Sequence, residues 1–256
     1  MKNYRYILFV MLPVHLGVLA LPFLTDLSWL NFVYFLIGWV FIGGLGINVG
    51  LHRWASHKSI KLNFIATPIV TFCSIIAAQG QPIWWAAIHR GIHHRHTDTE
   101  IDEHSPIHGR VHSFIGWIFK HDPDKVNYKY SADLMREPWI VGTHKYYEII
   151  IWTTWILAAF ISLDLLIYMF MLPAVIGLHT EGFVNVVCHS TSGYRNFETK
   201  DFSRNVPLVG YLGWGNGWHN NHHAKPGNYD FGSGVSNKWW EFDPCKIFIP
   251  FIKRYE

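Results

Sequence analysis

Seventeen of the 256 residues are histidine, almost as many as all aspartates and glutamates together. Most of them fall in groups. The first is His52-Arg-Trp-Ala-Ser-His57, the second His89-Arg-Gly-Ile-His93-His94-Arg-His96, and the third His219-Asn-Asn-His222-His223. A further histidine closes the string Asn185-Val-Val-Cys-His189. Imidazole is a ligand for zinc, copper, iron and nickel. Nine well-placed histidines among these groups exceed the four that zinc takes and suit two ions. Cys73, Cys188 and Cys245 form no CxxC pair, and no inward carboxylates cluster with the histidines. Iron–sulfur clusters, a disulfide framework and carboxylate-bridged di-iron bundles are therefore disfavoured. A dinuclear, nitrogen-rich site open to dioxygen fits iron best. The isolated His15, His108, His112, His121 and His144 are read as structural or solvated.

The spacings constrain the backbone. An α-helix turns about 100° per residue, so His219, His222 and His223 share one face. Asn185 and His189 share a face at i, i+4. His52 and His57 stand about 140° apart on a regular helix, so the helix is expected to end or distort between them. His89 and His93 share a face that His94 leaves, which predicts a kink, a π-bulge or a helix end at Gly91–His94. A shell of neutral ligands leaves its metals cationic and calls for carboxylates that orient the rings. Asp98, Glu100, Asp102 and Glu103 follow the second group and are candidates, with a solvated acidic loop as the alternative.

The elements that must hold these groups are membrane helices. Half of the residues are hydrophobic and only 15% are charged, against about 25% in soluble domains. No Lys or Arg occurs from Tyr6 to His52, or from Tyr146 to Tyr194. Each stretch accommodates two spans of about 20 residues, predicted at about 6–24, 29–51, 148–163 and 165–188. The fold class is an all-α membrane protein, with four transmembrane helices in two antiparallel hairpins. Segments 53–145 and 190–256 form one helical cap, and the whole of 1–256 is a single domain. Every Lys and Arg lies in the N-terminal tail, in 53–145 or in 195–256, so the cap and both termini are expected in the cytoplasm. A signal peptide is the rival reading of 1–24, without a convincing cleavage site. Residues 62–83 are read as a helix lying in the interface or buried shallowly, because a crossing there would divide the histidine groups between two faces. With that topology all four groups share one side. The net charge of +3 gives no sign of a nucleic-acid partner.

The residues HRWASH (52–57), HR..HHRHTDTE (89–100), NVVCH (185–189), GYRNF (193–197) and GWHNNHH (217–223) resemble those of the membrane-bound fatty acid desaturases. The likeness is greatest to the stearoyl-CoA branch and its bacterial relatives. The resemblance implies two irons on nine histidines (His52, His57, His89, His93, His94, His189, His219, His222 and His223), with Asn185 reaching one of them through water. It implies dioxygen-dependent insertion of a cis double bond into a long saturated acyl chain, of delta-9 type. The acyl chain is carried on coenzyme A, an acyl carrier protein or a lipid. A separate donor, ferredoxin or cytochrome b5, is expected to supply electrons. The setting would be the bacterial inner membrane or the endoplasmic reticulum, among membrane lipids. Two departures stand out. The second box reads HxxxHH where HxxHH is usual, and Asn216 occupies a position where an acid is common. Asn216 keeps the hydrogen bond of that acid without its charge. Rival readings are a membrane di-iron hydroxylase and a non-enzymatic membrane metal-binding protein.

Unactivated methylenes offer no polar handle, so selectivity must come from an apolar tunnel. Leu36 and Val40, about 18–24 Å along the helix from His52, are expected at its floor. Gly43, Gly44, Gly46 and Gly50 leave room near the metals for a substrate chain or for a packed helix. Trp84, Trp85, Trp117, Trp139, Trp214 and Trp218 are read as interface and cap packing, with a tunnel lining as the alternative. Arg53, Lys58, Arg90, Arg95, Arg195 and Lys200 are candidates for a charged head group.

Overall fold

The computed structural model describes residues 3–255. It is helical, and the only β pairing among the described residues consists of isolated bridges. In chain order, α1 covers Tyr4–Leu24 and α2 covers Trp29–Ser56. Helix α3 is Ala66–Ile76, α4 runs over 82–96 and α5 over 112–120. Helices α6 (Pro138–Lys145) and α7 (Tyr147–Ile161) follow. Helix α8 is Leu165–Val187, α9 is Pro207–Leu212 and α10 is His219–Ala224.

Three of these, α1, α2 and α8, are long and apolar enough to cross a membrane. Four were expected. The stretch predicted over 148–163 yields α7, whose 15 residues reach about 22 Å, short of the ~30 Å hydrocarbon layer. The stretch over 62–83 is not one helix either. Left-handed backbone at Ala78 and Gly80 breaks it, and Pro82 opens α4 at a position where its missing N–H costs nothing.

Helix α2 begins under a cap in which Ser28 Oγ accepts from the Asn31 amide at 3.1 Å. From Trp39 to Ser56 it is wound as a π-helix. The i→i+5 ladder carries on to its end, where the His57 amide donates to the His52 carbonyl at 3.0 Å. Side chains reinforce the wide winding. Asn48 Nδ2 reaches the Gly43 carbonyl at 2.9 Å, and Ser56 Oγ reaches that of Leu51 at 2.8 Å. Such winding is ordinarily confined to single turns, often at functional sites. Helix α3 lies against it: a Cβ on Gly46 would strike the Cys73 carbonyl, and one on Gly50 would strike Ser74 Oγ. These two glycines therefore serve helix packing.

Val10, Val14, Ile42, Ile47, Ile75, Ile151, Trp155, Ile167 and Met171 form the main core, where α1, α2, α3, α7 and α8 meet. Leu19, Phe23, Leu30, Ile149, Leu157 and Phe160 point outward.

The chain downstream of α10 is locked to the end of α2 by Arg53. Its guanidinium bonds Asp243 Oδ2 at 2.6 Å with both side chains fully buried. It also donates to the carbonyls of Asn48 and Tyr229 at 2.8 Å and lies 3.9 Å over the Phe231 ring. Arg53 is thus no head-group residue. Arg90 is likewise committed, to Asp133 and to the carbonyls of Ala55, Ser56 and Tyr130. Lys58 pairs with Asp133, and Arg95 with the Tyr130 hydroxyl.

Removing one partner of a buried pair strands the other charge, at a cost of about 3–5 kcal/mol. Arg53→Ala should lower the stability of the detergent-solubilised protein by that much, read as a fall in its thermal midpoint. Arg53→Met with Asp243→Leu should cost less than Arg53→Ala alone. Equal midpoints for Arg53→Ala and the native chain would show that the pair does not hold the cap.

Candidate metal centre

The π-winding of α2 places the fifth residue where an α-helix would place the fourth. His52 and His57 therefore face the same way, with ring centroids 4.8 Å apart. The second box uses the same device. His89–His93 is a single π-turn in which the His94 amide bonds the His89 carbonyl. That turn absorbs the extra residue of HxxxHH, so His89 and His94 share a face while His93 looks to the other side.

Two clusters result. His52, His57, His89, His94 and His222 form one, and His93, His189, His219 and His223 form the other; within each, ring nitrogens lie within 4.8 Å of one another. In the first, Nε2 of His52 and His222 are 3.1 Å apart, those of His57 and His89 2.8 Å, and those of His222 and His94 3.0 Å. In the second, Nε2 of His219 stands 2.9 Å from that of His189 and 3.1 Å from that of His223. The clusters abut, with the rings of His94 and His223 stacked at 4.5 Å. All nine expected ligands are brought together. His96 is not among them.

The outward nitrogens are held by acceptors. Nδ1 of His93 lies 3.1 Å from Asp102, that of His189 3.0 Å from Asp98 and that of His223 3.0 Å from Asp201. Nδ1 of His219 meets the Asn216 carbonyl at 3.1 Å, and that of His52 meets Asn216 Oδ1 at 2.8 Å. The loop after α4 is thus wound around its acids. Asp98 takes left-handed backbone, accepts from Ser105 Oγ at 3.0 Å and accepts from the Phe202 amide at 2.7 Å. Glu100 is exposed, and Glu103 bonds His121 instead, at 2.7 Å.

These contacts fix the protonation pattern of the five rings that make them. A proton on Nδ1 satisfies the acceptors and leaves Nε2 of His52, His93, His189, His219 and His223 as a lone pair. Burial, then the neighbouring imidazoles, hold His89, His94, His219 and His222 well below the usual imidazole range. Burial also takes His223 down to about 4, although Asp201 opposes it. Burial alone would raise Asp98, Asp102 and Asp201, but hydrogen bonds and charge from their histidines outweigh it and hold all three below the carboxylate range. Neutral rings converging lone pairs at about 3 Å repel unless a cation sits among them. The donor set therefore fits two metal ions, each with its ligands already oriented.

A cavity borders both clusters. Its walls include His52 and His89 of the first and His93 and His219 of the second, with Trp84, Trp85, Phe114, Trp117, Leu178 and Val184. Asn185 also faces it, while its Nδ2 donates to the Ser113 carbonyl at 3.4 Å. The expected tunnel residues lie elsewhere. Leu36 and Val40 are on the outer surface of α2, and Gly43 and Gly44 are occupied by Trp214. Apart from His52 and His219, the wall residues named above come from α4, α5 and α8. Trp139 is exposed and Trp218 fully buried.

Three residues escaped the sequence reading. Asp201 has no spacing relation to His223 that would mark it. His104 follows the acids of the loop, and lines the cavity 4.2 Å from Trp117. Glu181 is an acid in an otherwise uncharged span, which is itself a signal of function.

The fatty acid desaturase family model matches residues 4–240. The chain is 32% identical over 235 residues to an sn-1 stearoyl-lipid 9-desaturase of Anabaena variabilis, covering 91% of this chain and 84% of that protein. It is 35% identical over 235 residues to an sn-2 palmitoyl-lipid 9-desaturase of Nostoc sp. (strain 36), covering 90% and 80%. An acyl-CoA C20 Delta5-desaturase of Anemone leveillei is 31% identical over 245 residues, covering 93% and 76%. With two histidine clusters oriented for metals beside one aromatic-walled cavity, this chain belongs to the fatty acid desaturase family.

Proposed function

We propose that the protein is a di-iron, dioxygen-dependent fatty acyl desaturase that inserts a cis double bond of delta-9 type into a long saturated chain. The observation that carries this reading is the pair of clusters, five and four histidines, bordering a single cavity. Two bound irons would supply the reduction of dioxygen that removes two hydrogens from adjacent methylenes. The chain's own residues do the rest. His52, His57, His89, His94 and His222 would hold one iron, and His93, His189, His219 and His223 the other, with Asn185 contributing through water. Trp84, Trp85, Phe114 and Trp117 close around an apolar chain and exclude water from it.

The same reading places α7 as a fourth crossing beside α8, its ends completed by flanking residues, and the lysine- and arginine-rich cap in the cytoplasm. An external protein supplies electrons. A surface pocket lined by Arg110, Arg195, Arg204, Ser190 and Thr191 has His189 in its wall. Beside it, the Phe202 amide and His189 meet on one oxygen of Asp98. An acidic one-electron carrier suits that surface.

Expression in a host lacking its own desaturase, with double bonds located in the total fatty acids by mass spectrometry, tests the activity. Unsaturated product should appear with the native chain and vanish with His222→Ala or His93→Ala. Purified native protein should hold about two irons and each variant about one; a gain of oxygen in the product would instead mark a hydroxylase. Leu178 lies 11 positions before His189 on the α8 side of the cavity, about 16 Å along a helix. Leu178→Trp should shift the product toward shorter chains at unchanged iron content; an unaltered chain-length profile would remove Leu178 from the tunnel. Arg110→Glu with Arg204→Glu should raise the donor concentration needed for half-maximal rate about tenfold at low salt, and less at high salt. An unchanged donor requirement would place docking elsewhere.

A further inference from the structure

The two clusters differ in what stands behind them. Three of the four rings in the second cluster are backed by a carboxylate: His93 by Asp102, His189 by Asp98 and His223 by Asp201. Among the described residues no carboxylate bonds any ring of the first cluster, and Nδ1 of His222 is buried without a partner. A divalent ion on five neutral ligands in a buried site leaves its charge uncompensated.

One acid is connected to that cluster, by one step. Asn216, 1% exposed, bridges His52 to Glu181. Its Oδ1 faces His52 Nδ1 at 2.8 Å, and its Nδ2 donates to both Glu181 oxygens, at 2.9 and 3.1 Å. A carboxylate accepts only, so Glu181 fixes which way the Asn216 amide points. The oxygen is then turned to His52, which must carry its proton on Nδ1 and present Nε2 as a lone pair. No Lys, Arg or His of the described residues forms a salt bridge with Glu181, although it borders the cavity. The charge of Arg53 reaches Glu181, but Arg53 is already paired with Asp243. A carboxylate on an otherwise uncharged apolar helix is costly unless something further and cationic nearby requires it.

We propose that Glu181 is the positioning and charge-balancing carboxylate of the five-histidine cluster, acting on His52 through the Asn216 amide. This rests on the reading of the clusters as a two-metal centre. The proposal predicts that the charge can be moved along the relay. When Asn216→Asp is combined with Glu181→Gln, the carboxylate introduced at position 216 would accept directly from His52. The amide introduced at position 181 would in turn donate to that carboxylate.

The test is metal titration of the detergent-purified full chain with iron(II) or cobalt(II), with His222→Ala identifying the step that belongs to the five-histidine cluster. Glu181→Gln should weaken that step about tenfold and Glu181→Leu by up to about a hundredfold, the range for lost ring-orienting partners. The four-histidine step should not move. The double variant should return to within about threefold of native, whereas Asn216→Asp alone, with two carboxylates face to face, should remain weak. Native affinity in both Glu181→Gln and Glu181→Leu, or no recovery in the double variant, would overturn the assignment. Failure of the native chain to bind two ions would instead overturn the two-metal reading itself.

Discussion

Nine imidazoles gathered ring to ring in two abutting clusters set the terms for the rest of this molecule. His189 and His219 have Nε2 atoms 2.9 Å apart while Asp98 and the Asn216 carbonyl hold both protons on the outer nitrogens, an unfavourable arrangement for neutral rings and worse for protonated ones. A cation placed between them makes it favourable. The surrounding structure is what keeps the rings there beforehand. Asp98, Asp102 and Asp201 pin the protons of three rings on the outer nitrogen. Arg53 and Asp243 tie the end of α2 to the chain beyond α10, so that the first and third boxes stay in register. Such preorganisation transfers the cost of gathering ligands from metal binding to folding.

The backbone meets the spacing problem by changing its winding rather than by ending helices. A separation of five residues is useless on an α-helix and right on a π-helix. Both His52/His57 and His89/His94 have that separation, and both lie on i→i+5 segments. The wide winding is costly, and α2 offsets the cost locally. Asn48, Arg53 and Ser56 each bond the carbonyl five residues earlier, and glycines let α3 approach the enlarged turn. The stretch that reads as an ordinary glycine-rich membrane span is therefore a purpose-wound ligand carrier.

Much of this was legible from residue types and intervals. The grouping of the histidines and the distortion near each five-residue gap are local properties, and the distortion follows from helix geometry. Asp98 and Asp102 could be proposed because they sit within nine residues of His93. Asp201 could not, since its partner lies 22 residues away and nothing in the interval signals the contact. Leu36 and Val40 were chosen by distance from His52 along α2, which says nothing about azimuth, and both lie on the outer surface away from the cavity. The helix expected over 148–163 is found at Tyr147–Ile161, one residue shorter than the expected stretch because Ser162 leaves helical backbone.

The cavity wall and the ligands share the same rods. On α4, Trp84, Trp85 and Ile88 precede His89 and His93; on α8, Leu178, Glu181, Val184 and Asn185 precede the turn to His189. A helix is stiff along its axis, so the interval from a wall residue to a ligand is fixed to a fraction of one residue rise, about 1.5 Å. Successive methylenes of an extended acyl chain are spaced on a similar scale. Choosing one carbon pair out of many chemically equivalent ones needs a ruler of that fineness, and loops do not provide it. In the proposed function, carrying wall and ligands on common helices would make the position of the double bond a property of the fold. On this argument, wall substitutions along α4 and α8 change which carbons are presented, whereas changes in the acid loop act on the metal ligands and hence on rate.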